Sequence, residues 1–311
     1  MQEVRDFLYR RKMLFVFFAM VIAISITSPF FLRPFNLSAI FSQIAIYGVA
    51  SVGMIFAIIC GEMDLSIGPV MALSGIILVQ IEMRAGFISA IVVALIVCLC
   101  IGLLNGWLVT HIRISAFVTT LAMMIMISGV ALLVQPSPTP IRIEAFLNFG
   151  SGGIGVLPYI FIVFLGFIIL VQIVLRRTRF GRNVYAVGGS AEAATRAGIN
   201  VKFYKYSVFL LTSLFAAIAG IMLVGRLGSS SATFASTAAL SAISCLVIGG
   251  VSLIGGRGDA IDALIGIFIM GIVTNALAIF GVSPFNQLWI EGLILIGVVS
   301  IDAVLRNRRK A

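Results

Sequence analysis

The chain has 311 residues, 61% hydrophobic and only 10% charged, with a formal net charge of +10. That composition excludes a soluble globular domain, which has no means of hiding so much apolar surface. A helix needs about 20 apolar residues to cross the hydrocarbon core, so the length leaves room for roughly ten crossings in one transmembrane domain, 1–311.

From the N-terminus, Arg5, Arg10, Arg11 and Lys12 precede an apolar run that is too long for a signal-peptide core and lacks a small-residue cleavage site. It reads as an uncleaved first span with a cytoplasmic N-terminus. Charged residues, Pro and Gly divide the sequence into ten expected spans, at 13–32, 38–60, 66–82, 87–110, 115–134, 157–175, 206–225, 237–254, 261–280 and 286–304. The expected fold class is an all-α polytopic membrane protein of about ten helices with both termini cytoplasmic.

The basic residues test that count. The expected cytoplasmic side holds Arg5, Arg10, Arg11, Lys12, Arg113, Arg176, Arg177, Arg179, Arg182, Arg196, Lys202, Lys205, Arg257, Arg306, Arg308, Arg309 and Lys310, which is 17 of the 21 Lys and Arg. Only Arg33, Arg84, Arg142 and Arg226 fall on the other side. This asymmetry is what the positive-inside rule asks, and it accounts for the net charge through the lipid bilayer, with no nucleic acid partner. The four cysteines all lie in apolar runs and read as small buried hydrophobes.

Two connections are long. An exterior loop at about 135–156 carries Pro136, Pro138 and Pro140 and then four glycines, a turn-rich surface composition. The interior segment at about 176–205 is the most polar part of the chain. Within it Ser190 is placed to N-cap a short helix that Gly198 and Asn200 would stop. Ala191, Ala193, Ala194 and Ala197 suit close packing against another protein, and Glu192 and Arg196 form an i,i+4 pair. On these grounds alone a docking element and a solvated connector rank equally.

Earlier, GEMDLSIGPVMALSG at 61–75 breaks the helical pattern at Gly61 and Gly68, with Asp64 and Ser66 offering polar atoms beside the break. Irregular backbone at membrane depth must be packed in protein or line a wet cavity. Asp64 suits an N-cap for the next span, and the segment suits a gate or path. Glu62 beside it must face water, a basic partner or a cavity, or be protonated. Near the C-terminus CLVIGGVSLIGGRGDAIDALIG follows an apolar span, not a strand, so its GxGxxG-like spacing is no dinucleotide fingerprint. Among polar residues inside apolar spans, Gln43 and Asn275 are the candidates for a transport path, while Asn105, within GLLNG, reads as a helix-packing residue.

Three of these stretches resemble one family. GRNVYAVGGSAEAATRAGINV is similar to the cytoplasmic coupling segment of the ribose, xylose and autoinducer-2 type permeases of ABC importers. GEMDLSIG resembles their GGIDLSVGS-type signature, with Glu62 where a glycine is usual. VIGGVSLIGGRGD resembles their C-terminal glycine block. The resemblance runs over nearly the whole chain and implies a monosaccharide-importing permease of the bacterial inner membrane. It further implies that Gly188, Gly189, Glu192, Ala193, Ala194, Arg196, Gly198 and Asn200 engage a separate ATPase; the path or gate candidates, from their polarity within apolar segments, are Gln43, Asp64, Ser66 and Asn275. The implied partners are that ATPase, which would carry ATP and Mg, a second permease copy or close paralogue, and an exterior sugar-binding protein.

Neither a catalytic triad nor a multi-histidine metal site is possible with His111 as the one histidine, and the GxxxxGK[ST] pattern is missing, so no cofactor is expected on this chain. An ion-coupled transporter or passive channel is the alternative. It predicts intramembrane charges, which the sequence reading confines to the Glu62–Asp64 break.

Overall fold

A computed structural model describes residues 12–310, with side chains at 298–299 and from 301 onward excepted. Arg5, Arg10 and Arg11, and the side chains of Lys12, Arg306, Arg308, Arg309 and Lys310, lie outside the described residues. Among the described residues, a helix of 12 residues or more lies within or across each expected stretch: α1 (Lys12–Thr27), α2 (Pro34–Ile59), α3 (Ile67–Ala85), α4 (Phe87–Trp107), α5 (Ala116–Val134), α7 (Tyr159–Arg177), α10 (Val201–Leu227), α11 (Ala238–Gly249), α12 (Ala260–Ile279) and α13 (Pro284–Lys310). Between them lie a short helix, α6 (Glu144–Ser151), and two more in the polar segment, α8 (Arg179–Gly189) and α9 (Ala191–Arg196). Among the described residues, seven helices are long and apolar enough to cross a bilayer: α2, α3, α4 with its π-turn extension Leu108–Ile112, α5, α7, α10 and α12.

The helices form a core and a periphery. In α2, 89% of the apolar window is buried, against 22% in α4 and 28% in α5, whose exposed Ile96, Leu103, Ile125 and Leu133 suit lipid or another chain. The core surrounds α2, where Ile44, Met54, Ile55, Phe56, Ile58 and Ile59 are almost fully enclosed. Small residues set the closest approaches, as the sequence suggested for GLLNG: Gly102 and Gly106 meet Phe209, Ser213 and Tyr206 of α10.

Two features depart from the expected spans. The 237–254 stretch is helical only over the 12 residues of α11, about 18 Å at 1.5 Å per residue and too short to cross the core alone. Before it the chain runs irregularly through Ser231–Thr237, with Ser231 and Ala235 buried and Ala235 against the start of α3, where Gly68 has no side chain and a Cβ would lie 2.5 Å from the Ala235 carbonyl oxygen. Turn hydrogen bonds, Ser236 N–H to the Thr233 carbonyl at 3.3 Å and Ala238 N–H to the Ala235 carbonyl at 3.0 Å, satisfy part of this backbone. The exterior loop is also more ordered than its composition implies. Its β1 (Thr139–Pro140) pairs antiparallel with β4 (Ser229–Ser230), and β2 (Gly153–Ile154) with β3 (Leu157–Pro158). Buried Glu82 of α3 accepts from the Arg142 N–H at 3.2 Å.

Candidate functional site

The polar segment folds as its local chemistry asks. Thr178 caps α8 by accepting from Gly181 N–H at 3.1 Å, and Ser190 caps α9 by accepting from Ala193 N–H at 3.1 Å. Glu192 accepts from Arg196 at 2.6 Å. Gly198 then turns the chain at φ +80°, and Asn200 caps α10 through Phe203 N–H at 3.1 Å. Ala194 is the anchored face of α9, only 4% exposed. Ala191, Glu192, Ala193, Arg196, Ala197 and Gly198 all face outward.

What holds this projection is a junction of glycines from the three distant stretches. Gly188, the penultimate residue of α8, lies so close to the α2–α3 break that a Cβ there would collide with the Ile59 carbonyl oxygen. Gly256 N–H donates to that same Ile59 oxygen at 2.8 Å, and Gly255 packs on both Gly188 and Gly61. Around the junction Tyr185 donates to the Gly258 carbonyl at 2.6 Å, Arg176 pairs with Asp259 at 2.6 Å, and Asn183 donates to the Tyr204 hydroxyl at 2.6 Å. Burial pushes the Tyr185 hydroxyl up to about 12, so it keeps its proton as a donor at neutral pH. The base of α8 is thereby packed on both the α2–α3 break and the GGRG turn.

Asp64 lies deeper, and its carboxylate is fully enclosed. One oxygen accepts from Ser66 N–H at 2.9 Å and from the Ser66 hydroxyl at 2.5 Å; the other accepts from Thr212 at 2.8 Å. Asn105 donates to Ser66 at 3.0 Å, so four polar residues tie α4 and α10 to the break. Ser66, not Asp64, occupies the N-cap of α3, and Asp64 supports it through an Asx-type turn. Glu62 has found a basic partner, Lys205 of α10, at 2.5 Å. This pair sits on the wall of a cavity of about 590 Å³ that also touches Arg113, Ser115 and Lys202.

The intramembrane candidates separate. Asn275 exchanges hydrogen bonds with Asn36, at 2.8 and 3.1 Å, which fastens α12 to α2, and it is not among the residues lining the cavity at Gln43. Gln43 does line a cavity, of about 210 Å³ between α2, α11, α12 and α13. With it stands Glu291, an intramembrane carboxylate that the sequence reading overlooked, since a single acid among residues 284–301 leaves that stretch apolar overall. Its position near the middle of an apolar run was the available signal.

Comparison with known proteins follows the same outline. A family described as branched-chain amino acid transport system / permease component matches residues 36–299. The chain is 37% identical over 302 residues to the ribose import permease protein of Bacillus subtilis, covering 94% of this chain and 91% of that one. It is 34% identical to the L-arabinose ABC transporter permease protein of Azospirillum brasilense, over 97% and 90%, and 35% identical to the fructose import permease protein of Rhizobium meliloti, over 89% and 80%. No solved structure matches the chain. The glycine junction, the exposed α9 and the apolar helices are thus found in a chain that belongs to this family of membrane permease components of transport systems.

Proposed function

We propose that this chain is the membrane-spanning subunit of an ATP-driven importer for a monosaccharide, forming half of the pathway and acting with a separate ATPase that docks on α8 and α9. The observation that carries this reading is the junction: an outward-facing, capped helix whose base is packed backbone to backbone on the α2–α3 break and on the GGRG turn. Closure of ATPase domains on α9 would reach both breaks without a flexible link. Relatives that import ribose, L-arabinose and fructose support the substrate class.

In this reading ten crossings place both termini and α8–α9 on the cytoplasmic face of the inner membrane. ATP and Mg are handled by the partner ATPase. A second permease copy or close paralogue supplies the other wall of the path, and an exterior sugar-binding protein delivers the solute. Gln43 faces the path, while Asp64 and Ser66 act as the hinge of the gate. Glu291 is the kind of group an ion-coupled transporter would use, so the ATPase requirement discriminates between the two mechanisms.

Wild type, Glu192→Lys and Gly198→Pro are to be compared for co-purification with the candidate ATPase in detergent and for sugar uptake in intact cells or proteoliposomes. Glu192 is exposed, so its charge reversal leaves the fold intact, whereas proline cannot adopt φ +80° and redirects the chain after α9. Loss of co-purification and uptake in both variants, with normal membrane insertion, is the expected result. Uptake by wild type without any ATPase would overturn the mechanism.

A further inference from the structure

The cavity beside Glu291 is a built polar site inside the bundle. Counting from the helix starts at 1.5 Å per residue, Gln43 lies about 14 Å along α2 and Glu291 about 10 Å along α13. Both therefore lie inside the apolar runs of their helices, level with the start of the shortened helix α11. Ser241, in its first turn, donates to Glu291 at 3.3 Å, and Gln287 donates to the Val282 carbonyl at 2.8 Å. The amide of Gln43 and the hydroxyl of Tyr47 line the same space and make no hydrogen bond among the described residues. Polar groups at membrane depth that are turned into a cavity and left unpaired by protein are groups that await a ligand or water.

Building on the importer reading above, the geometry points to this cavity as a binding site for one small neutral polyol, with Glu291 accepting hydrogen bonds from two of its hydroxyls and Gln43 and Tyr47 closing the set. At about 210 Å³ the space is below the roughly 300–1,000 Å³ of pockets for drug-sized ligands and matches a single sugar ring, not a disaccharide. No Lys or Arg is among its lining residues, so a zwitterionic amino acid would leave its carboxylate unpaired beside Glu291. A broken helix that opens into a cavity near mid-membrane is also where transporters place their solutes. A purely structural role for Glu291 explains its contacts with Ser241 of α11 and Thr274 of α12 but not the unpaired amide of Gln43 and hydroxyl of Tyr47 in the same cavity.

The test uses the purified full chain in detergent micelles and saturation-transfer NMR, with D-ribose, L-arabinose and D-fructose as probes and L-leucine as the comparison. Sugar protons should receive saturation and leucine protons should not. Glu291→Gln keeps the shape of the side chain and Gln43→Leu keeps most of its volume; each should weaken sugar affinity roughly tenfold or more, the loss of a charge-assisted or buried hydrogen bond, while eluting as wild type. Sugar signals absent from wild type, or equal in wild type and both variants, overturn the site. Preferential saturation of leucine overturns the polyol chemistry. The assay contains no ATPase, so a failure of the α9 experiment leaves these signals untouched and the two readings fail separately.

Discussion

At the scale of residues, identity and role come apart most clearly among the amides and acids. Gln43 and Asn275 are equally polar and equally placed in apolar runs, yet one lines a cavity and the other is consumed by Asn36, 239 positions away in sequence. No local pattern carries that difference, because the partner is chosen by helix packing. Gly188 and Gly189 make the point in the opposite direction. The two are neighbours in a double glycine, but Gly188 is pressed on Ile59 while nothing lies within 4 Å of a Cβ at Gly189. Gly188→Ala is expected to cost about 3 kcal/mol, the upper end for overpacking, since the obstacle is backbone and has no rotamer to yield. Gly189→Ala should stay within about 0.5 kcal/mol. Thermal unfolding midpoints in detergent distinguish the pair, and equal midpoints would refute the junction.

At the scale of elements, the caps were readable because capping is local: Ser190 and Asn200 each bond an amide three residues on. The α2–α3 break was readable as a break, through Gly61 and Gly68, but its lock was not. Thr212, which completes the Asp64 carboxylate, lies on α10 and carries no signal in a helix of ordinary apolar composition. Asp64→Ala strands the Ser66 and Thr212 donors in a site without water, so a loss of about 3 kcal/mol or more is expected, with Thr212→Val costing less. An Asp64→Ala protein with the wild-type melting midpoint would show that the network is dispensable. For α11 the apolar run continued past the double glycine at 249–250, so hydropathy did not place the helix end there. The left-handed Gly250 caps the helix, and further along Gly255 packs on Gly188 and Gly61 and Gly256 on Gly188 and Gly189.

At the scale of the whole molecule, Arg113, Lys202 and Lys205 line the cavity beside the α2–α3 break and Arg176 pairs with Asp259 next to the glycine junction, at the α8–α9 end, while the Arg142 N–H bonds Glu82 at the far end of α3. If that first end is cytoplasmic, a cysteine placed at Arg196 should react with an impermeant maleimide only in permeabilised cells, and one at Ile154 in intact cells. The reverse pattern would invert the topology. What the sequence determined by itself was membrane residence, the approximate helix positions and the capped start of α9, because hydrophobic length, charge asymmetry and capping are properties of contiguous segments. The tertiary structure alone decided that the three glycine stretches form one junction, that Asn275 is a fastener and that Glu291 faces a polar cavity. Each of these depends on which helices become neighbours, and in a chain so uniformly apolar that choice rests on shape and close approach, which leave little trace in composition.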